Sequence, residues 1–247
     1  MKAFKALFRS EFRLSLRDMN IPIFGIAQPI IVAVIIGLVS GNKPAFDGAD
    51  YSFIEQSFGA FAAICVCATG LMGMPLLVAD YRHRKLLKQF MVTPVSPALM
   101  LYVQFAVNLI MSVISMVSVF LICSAFWEYK MDGNPGLFLL SYLLVVVAIY
   151  SIGMLLASVS PNMKTANLLC TLIYFPMLFF SGATIPYEIM PKGVRYVMDV
   201  LPLTQGVKLL KAASLGLPAD HVILSVVILV AVSVLCIILS IKYFRWE

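Results

Sequence analysis

Few residues in this chain have the types and spacing that catalysis requires. Its two histidines, His83 and His221, fall on opposite sides of a membrane in the topology that the charge pattern predicts, so they cannot act together. Cys65-x-Cys67 offers two thiols to a soft metal, but its apolar segment holds no His or acidic residue that would complete a ligand set. The sequence shows no nucleophile–His arrangement and no pair of carboxylates within a span. We therefore expect neither catalytic residues nor a metal site.

The sequence also shows no motif for nucleotide binding and hydrolysis. A phosphate-binding loop of the G-x-x-x-x-G-K-[ST] type is missing, and the soluble segments are too short for a nucleotide-binding fold. The predicted spans carry no ionisable residue near their centres, which weighs against proton coupling. If the protein performs work, its energy must come from a partner, and we expect no cofactor on this chain.

The segment from Asp80 to Pro97 has the composition of a docking site for a soluble partner. Residues 80–93 are helical in pattern, and Thr93-Pro94 stops that helix. In such a docking site the apolar face supplies the binding affinity, and the surrounding cations fix the register of the partner. The candidate docking residues are Arg82, Arg84, Lys85, Leu86, Leu87, Lys88, Phe90 and Met91. A basic loop that only sets membrane topology has the same composition and stays open.

The composition makes lipid the solvent of this protein. Of its 247 residues, 62% are hydrophobic and 12% are charged, whereas soluble domains carry about 25% charged residues. The apolar residues form long blocks, and helices satisfy every backbone polar group in lipid. We predict an all-α membrane protein forming a single domain, with six spans at residues 21–39, 56–79, 99–127, 136–158, 165–182 and 221–241.

Two further regions lie outside the predicted spans, one before the first span and one between the last two. Residues 1–19 form an amphipathic helix, predicted to lie in the membrane interface, with the acidic Glu11 on its apolar side. Residues 183–219 hold two short helices, at about 192–200 and 204–215, with Gly216 as the stop of the second. Neither is long enough to cross, so they lie at the surface or dip into the membrane and return.

Charge orients the predicted bundle. With both termini in the cytoplasm, twelve of the eighteen Lys and Arg residues lie in cytoplasmic segments, and residues 183–219 become extracytoplasmic. This topology explains the net charge of +6 better than binding to nucleic acid does, and we expect no nucleic-acid partner.

Residues 80–97 resemble the coupling helix of type-2 ABC transporter permeases, where a helix between spans two and three ends in a Thr-Pro-Val-Ser-type turn. The resemblance continues in Phe180-Ser-Gly-Ala-Thr-Ile-Pro and in Leu201-Pro-Leu-Thr-Gln. The residues that match motif positions are Thr93, Pro94, Ser181, Gly182, Pro186, Pro191, Pro202 and Thr204. One departure is clear: many family members carry an acidic-Gly-Thr-Leu-Glu pattern where this chain has Arg-Lys-Leu-Leu-Lys.

The resemblance implies half of an ATP-driven exporter in a bacterial plasma membrane. A separate cytoplasmic ATPase would bind ATP and Mg²⁺, and a second membrane subunit, identical or related, would complete the pathway. Spans one, two and five would face that subunit and the route. Tyr174, Phe175, Met177 and Phe179 then become candidate pathway-lining residues, although lipid contact and bundle packing stay open for them. The cargo would be a drug, a lipid-like compound or another amphipathic molecule.

Two other classes of function compete with this interpretation. An integral membrane enzyme acting on lipids would need polar groups that converge at one membrane face, and the sequence assembles none. A membrane protein that binds a partner without transport, such as an immunity-type protein, would use the same docking segment.

Overall fold

The computed structural model describes residues 2–17, 21–46, 49–83, 97–184, 187, 190–217 and 222–243. Across these ranges the chain is helical, contains no strand, and has one isolated bridge between Pro44 and Ser52. The predicted all-α class is therefore confirmed.

Within these described ranges, six helices are long and apolar enough to cross a membrane, as the sequence predicts. We label the helices in chain order. The N-terminal helix is α1 (Lys2–Arg17). The spans are α2 (Ile21–Ser40), α3 (Phe53–His83), α4 (Pro97–Trp127), α5 (Pro135–Val159), α6 (Met163–Phe180) and α9 (Val222–Tyr243), and two short helices, α7 (Lys192–Val200) and α8 (Pro202–Leu215), lie between the last two spans.

Local sequence signals begin and end these helices. Ser52 and Glu55 form a capping box at α3, with the Ser52 backbone N–H donating to Glu55 Oε2 at 2.6 Å. Asn162 accepts the Thr165 backbone N–H at 2.9 Å at the start of α6. Gly216 ends α8 in the left-handed conformation, with φ of +67°, which a glycine adopts without steric cost.

Two spans contain π-helical turns that pack on each other. One covers Ile21–Ala27 at the start of α2, and the other covers Thr69–Gly73 within α3, a stretch that contains Gly70 and Gly73. The Thr69 side chain bridges from its turn to α5 through a hydrogen bond of 2.8 Å with the Tyr150 hydroxyl. Because a π-helical turn interrupts the regular hydrogen-bond ladder, both spans depart from regular α-helical geometry where the two turns meet.

Helix α3 is the centre of the bundle. Its membrane-spanning stretch is entirely buried, enclosed by α2, α4, α5, α6 and α8. The expectation that span two faces a partner subunit is therefore wrong for this structure. The physical reason is α8, which packs so tightly on α3 that a Cβ added at Gly59 would collide with the backbone of Lys211.

The two short helices differ in their environment. Helix α8 is buried along most of its length, between α3, α5 and α9, so it inserts into the end of the bundle. Helix α7 stays outside, with Met198 as its buried residue. Of the two placements that the sequence left open, α8 dips into the bundle and α7 remains at its surface.

Candidate functional site

The last turn of α3 is joined to two other helices through one carboxylate. The Tyr81 hydroxyl donates to Glu11 Oε2 at 2.6 Å, and Gln104 Nε2 donates to the same oxygen at 2.5 Å. Glu11 is only 4% exposed. Helices α1, α3 and α4 therefore meet at a single buried acceptor.

These contacts explain the one acidic residue on the apolar side of α1. Burial of a carboxylate is costly unless hydrogen bonds satisfy its oxygens, and bonds to a charged acceptor are the stronger kind. Glu11 receives such bonds from α3 and α4. It therefore sets how α1 lies against the bundle.

Arg82, the next residue of α3, is bound to the end of α5. Its Nη1 donates to the carbonyl oxygens of Ala157 at 3.0 Å and Ser160 at 2.5 Å. The last carbonyls of a helix lack intrahelical partners and attract cations, which explains why a guanidinium is stable here at 8% exposure. Arg82 thus points into the chain and not into a cationic ring at its surface.

The remaining residues of the predicted docking segment lie outside the described residues. They are Arg84, Lys85, Leu86, Leu87, Lys88, Phe90 and Met91, together with the turn residues Thr93 and Pro94. Their role in docking stays a prediction. The described residues on either side of the segment are His83, the last residue of α3, and Pro97, the first residue of α4.

The four candidate pathway residues of α6 do not share one face. Tyr174 and Met177 are buried, and the Tyr174 hydroxyl donates to Gln28 Oε1 on α2 at 2.6 Å. Phe175 and Phe179 are 38% and 48% exposed, and their rings stack with centroids 6.3 Å apart. Helical geometry places residues four apart on one side, so the exposed pair and the buried pair belong to different environments.

The exposed aromatic pair is accompanied by other exposed apolar side chains on α6 and on α2, to which Tyr174 is hydrogen-bonded. Helices α2 and α6 carry exposed apolar side chains that the chain itself does not cover: Ile31, Ile35, Leu38, Leu168, Leu172, Phe175 and Phe179. Lipid or another membrane protein must cover such side chains in a bilayer. This surface belongs to two of the three spans that the family resemblance assigns to a partner.

Two motif stretches meet at the end of α6. The Thr204 hydroxyl donates to the carbonyl oxygen of Phe180 at 3.4 Å, which joins the Leu201–Gln205 stretch to the Phe180–Gly182 stretch. Gly182 has φ of +81°, a conformation that favours glycine. Ser181 is buried, and its Oγ accepts the Ala183 backbone N–H at 3.3 Å. Pro191 precedes α7 and Pro202 begins α8; Pro186 lies outside the described residues.

A cavity of about 650 Å³ lies beside this motif contact, at the end of the bundle opposite to Glu11. Its walls come from α2, α3, α8, α9 and the chain after α6. Asp199 organises part of its polar wall: Lys208 Nζ lies 2.6 Å from Asp199 Oδ1 and 4.4 Å from the Tyr187 ring centroid. The Tyr187 hydroxyl donates to Asp199 Oδ2 at 3.0 Å.

Sequence reasoning missed this cavity. Its only sequence signal is the concentration of cations in residues 183–219, the one predicted extracytoplasmic region that holds several. Among the described residues, no three His, Cys, Asp or Glu side chains converge as a metal site.

Comparisons with known proteins agree with this architecture. The family model described as ABC-2 type transporter matches residues 2–215. The inner membrane transport permease YhhJ of Escherichia coli (strain K12) is 28% identical over 171 residues, which cover 69% of this chain and 44% of the relative. Nodulation protein J of Rhizobium leguminosarum bv. viciae is 31% identical over 109 residues, covering 42% of this chain and 40% of the relative.

The matched stretch spans less than half of the length of each of these relatives. The family match is broader, because it covers most of this chain and includes α1, five of the spans and both short helices. Together with the six apolar helices, it shows that this multi-pass membrane protein belongs to the ABC-2 type transporter family.

Proposed function

We propose that this chain is the membrane-spanning permease subunit of an ATP-driven exporter. It works with a separate cytoplasmic ATPase and with a second membrane subunit, identical or related, in a bacterial plasma membrane with both chain termini in the cytoplasm. Membership of the ABC-2 type transporter family and the similarity to an inner membrane transport permease support the transport role.

The observation that carries the proposal is the group of buried hydrogen bonds at the last turn of α3. Tyr81 and Arg82 bind this turn to α1 and α5. Glu11 of α1 also accepts a hydrogen bond from Gln104 and so links the same turn to α4. The predicted docking segment begins at the same turn. A displacement of that segment therefore reaches three neighbouring helices through hydrogen bonds that are already formed.

The ATPase can drive the permease only through a difference in binding free energy. A partner shifts the permease between two arrangements only if it binds them with different affinity. ATP and Mg²⁺ belong to the partner in this scheme, and its ATP-bound form would hold residues 80–93 in one position. The buried hydrogen bonds of Tyr81 and Arg82 would then transmit the position of this segment to the neighbouring helices. The central helix α3 also contains a π-helical turn.

The exposed surface of α2 and α6 supports an amphipathic or lipid-like cargo. If two such surfaces face each other across a dimer, Phe175 and Phe179 supply aromatic walls and no charge. Such walls suit drugs and lipid-like molecules better than strongly hydrophilic ones. ATP turnover of the assembled complex should therefore respond to lipophilic compounds and not to soluble glycans.

The test is affinity capture of the tagged chain from native membranes in a mild detergent. The proposal expects an ATPase among the captured chains, in an amount comparable to the permease, and ATP hydrolysis in the eluate. Capture of the intact permease without an ATPase, in a detergent that preserves other transporter complexes, would contradict it.

A further inference from the structure

The cavity beside α8 has the size of a small-molecule site. Its volume of about 650 Å³ lies within the usual range for such pockets, about 300 to 1,000 Å³. Apolar side chains from four helices contribute to its wall, namely Ile36 of α2, Phe53 and Ala60 of α3, Val207 of α8 and Leu224 of α9. Polar side chains contribute as well, so the hydrogen bonds that those groups already make decide what a ligand must offer.

The charged side chains of the wall are engaged within the chain. Among the described lining residues they are Asp199, Lys208 and Lys211. Lys208 Nζ lies 2.6 Å from Asp199 Oδ1, and Lys211 interacts with another group of the chain. A charged ligand would therefore lose hydration without meeting an uncompensated opposite charge. This wall favours an uncharged ligand.

Neutral polar side chains of the wall also have partners. The Ser225 hydroxyl of α9 donates to Gln205 Oε1 at 2.7 Å, and Gln205 Nε2 donates to the Asp199 carbonyl oxygen at 2.6 Å. The Thr204 hydroxyl donates to the carbonyl oxygen of Phe180 at 3.4 Å. These groups require no hydrogen bond from a ligand.

Gln56 differs from these neighbours. Its side chain contributes to the cavity wall and is only 7% exposed. Among the described residues, its Oε1 atom has no hydrogen-bond partner. A buried acceptor left unpaired costs free energy, and the donor that satisfies it must be uncharged at this wall. A hydroxyl group meets both conditions.

We infer that this cavity binds one uncharged amphipathic alcohol, a molecule that combines an apolar body with a hydroxyl group. The hydroxyl donates to Gln56 Oε1, and the apolar body replaces water against the apolar side chains of the wall. The inference goes beyond the proposed transport role, because every residue of this site belongs to one chain and binding requires neither an ATPase nor a second subunit.

Binding is tested on the purified, delipidated full-length chain in a neutral detergent, with ligand retention read by native mass spectrometry. The probes are monodecanoylglycerol, its dimethyl ether, in which both hydroxyls are capped, and decanoyl lysophosphatidic acid, which adds a phosphate. The inference expects saturable retention of monodecanoylglycerol and much weaker retention of the other two. Equal retention of the dimethyl ether would overturn the role of the hydroxyl, and equal retention of the phosphate would overturn the preference for an uncharged ligand.

A pair of identical substitutions places the hydroxyl. Gln56→Met removes the unpaired acceptor at similar volume and should weaken monodecanoylglycerol binding by about three- to tenfold, the effect of one hydrogen bond. Gln28→Met is the matched control, because Gln28 lies outside the cavity wall and accepts the Tyr174 hydroxyl of α6. It should lower the melting temperature but retain the ligand as the parent does. Equal binding by Gln56→Met and the parent would overturn the assignment.

A third variant tests whether the ligand occupies the cavity. Ala212→Phe keeps the hydrogen-bonding side chains of the wall and enlarges a lining side chain of α8. It should abolish retention of monodecanoylglycerol, because the apolar body then competes with the new ring for the same space. Retention by Ala212→Phe at the level of the parent would show that the ligand binds elsewhere.

Discussion

The Tyr81 hydroxyl lies 2.6 Å from the Glu11 carboxylate, so the N-terminal helix is bound to the last turn of the central span. Gln104 donates to the same carboxylate from α4. In a helical membrane protein such contacts hold elements in register where the apolar surface alone would let them slide. The contact lies one residue before Arg82, at the point where the predicted docking segment leaves the bundle.

Removing the Tyr81 hydroxyl should loosen α1 without unfolding the bundle. Tyr81→Phe keeps the ring and deletes one hydrogen bond to a buried charged acceptor, which costs about 1.5 to 3 kcal/mol. We expect a lower melting temperature in detergent. Tyr102→Phe, the same change at an exposed position of α4, is the control and should melt as the parent does. Equal melting temperatures for Tyr81→Phe and the parent would show that the contact carries no stability.

Arg82 should matter for coupling and not for docking. Arg82→Met removes both bonds to the end of α5 and leaves the Ala157 and Ser160 carbonyls without their cation, at a cost of about 2 to 4 kcal/mol. We expect the ATPase to remain bound while stimulation of its turnover by lipophilic compounds is lost. Arg82→Lys should restore only part of it, since an ammonium is a point charge without the guanidinium fork. Loss of ATPase binding in Arg82→Met would instead place Arg82 in the docking surface.

The surface of α2 and α6 predicts which positions touch a second subunit. Phe175→Cys should crosslink between subunits with a short bis-maleimide, while Tyr174→Cys, one position along α6 and buried, should not. Background labelling is low because the five native cysteines are all buried. The readout is a doubled mass on a denaturing gel. Crosslinking through Tyr174→Cys but not through Phe175→Cys would reverse the assigned faces of α6.

Hydropathy and local signals were enough to predict the elements. Long apolar blocks predict six spans, and the part of the chain that the structure describes has six helices long and apolar enough to cross. The sequence predicts two short helices before the last span, with Gly216 as the stop of the second, and the structure has α7 and α8 there, with Gly216 in the left-handed conformation. These features depend on residues close in sequence, which a single chain displays directly.

Relationships between distant residues could not be predicted in the same way. Glu11 looked like a defect in an amphipathic pattern because its partners lie 70 and 93 positions away. The burial of α3 escaped prediction because it depends on α8, whose insertion beside Gly59 has no periodic signal. The cavity combines walls from several helices, and no local pattern encodes such a combination.

The apolar side of the predicted docking helix should decide whether the ATPase binds. Leu87→Asp with Phe90→Asp places two charges where docking would bury them, and an unpaired buried charge is strongly unfavourable. Val197→Asp makes the same kind of change at an exposed position of α7, at the other end of the bundle, and serves as the control. All three proteins should insert into the membrane to a similar level.

The most direct measurement of the central claim is the amount of ATPase captured per permease for the parent, the Leu87→Asp, Phe90→Asp variant and the Val197→Asp control. The account predicts comparable amounts of ATPase and permease for the parent and the control, and no ATPase for the double variant. Undiminished capture by the double variant would show that residues 80–93 do not dock the ATPase. A parent that captures none would contradict the exporter assignment itself.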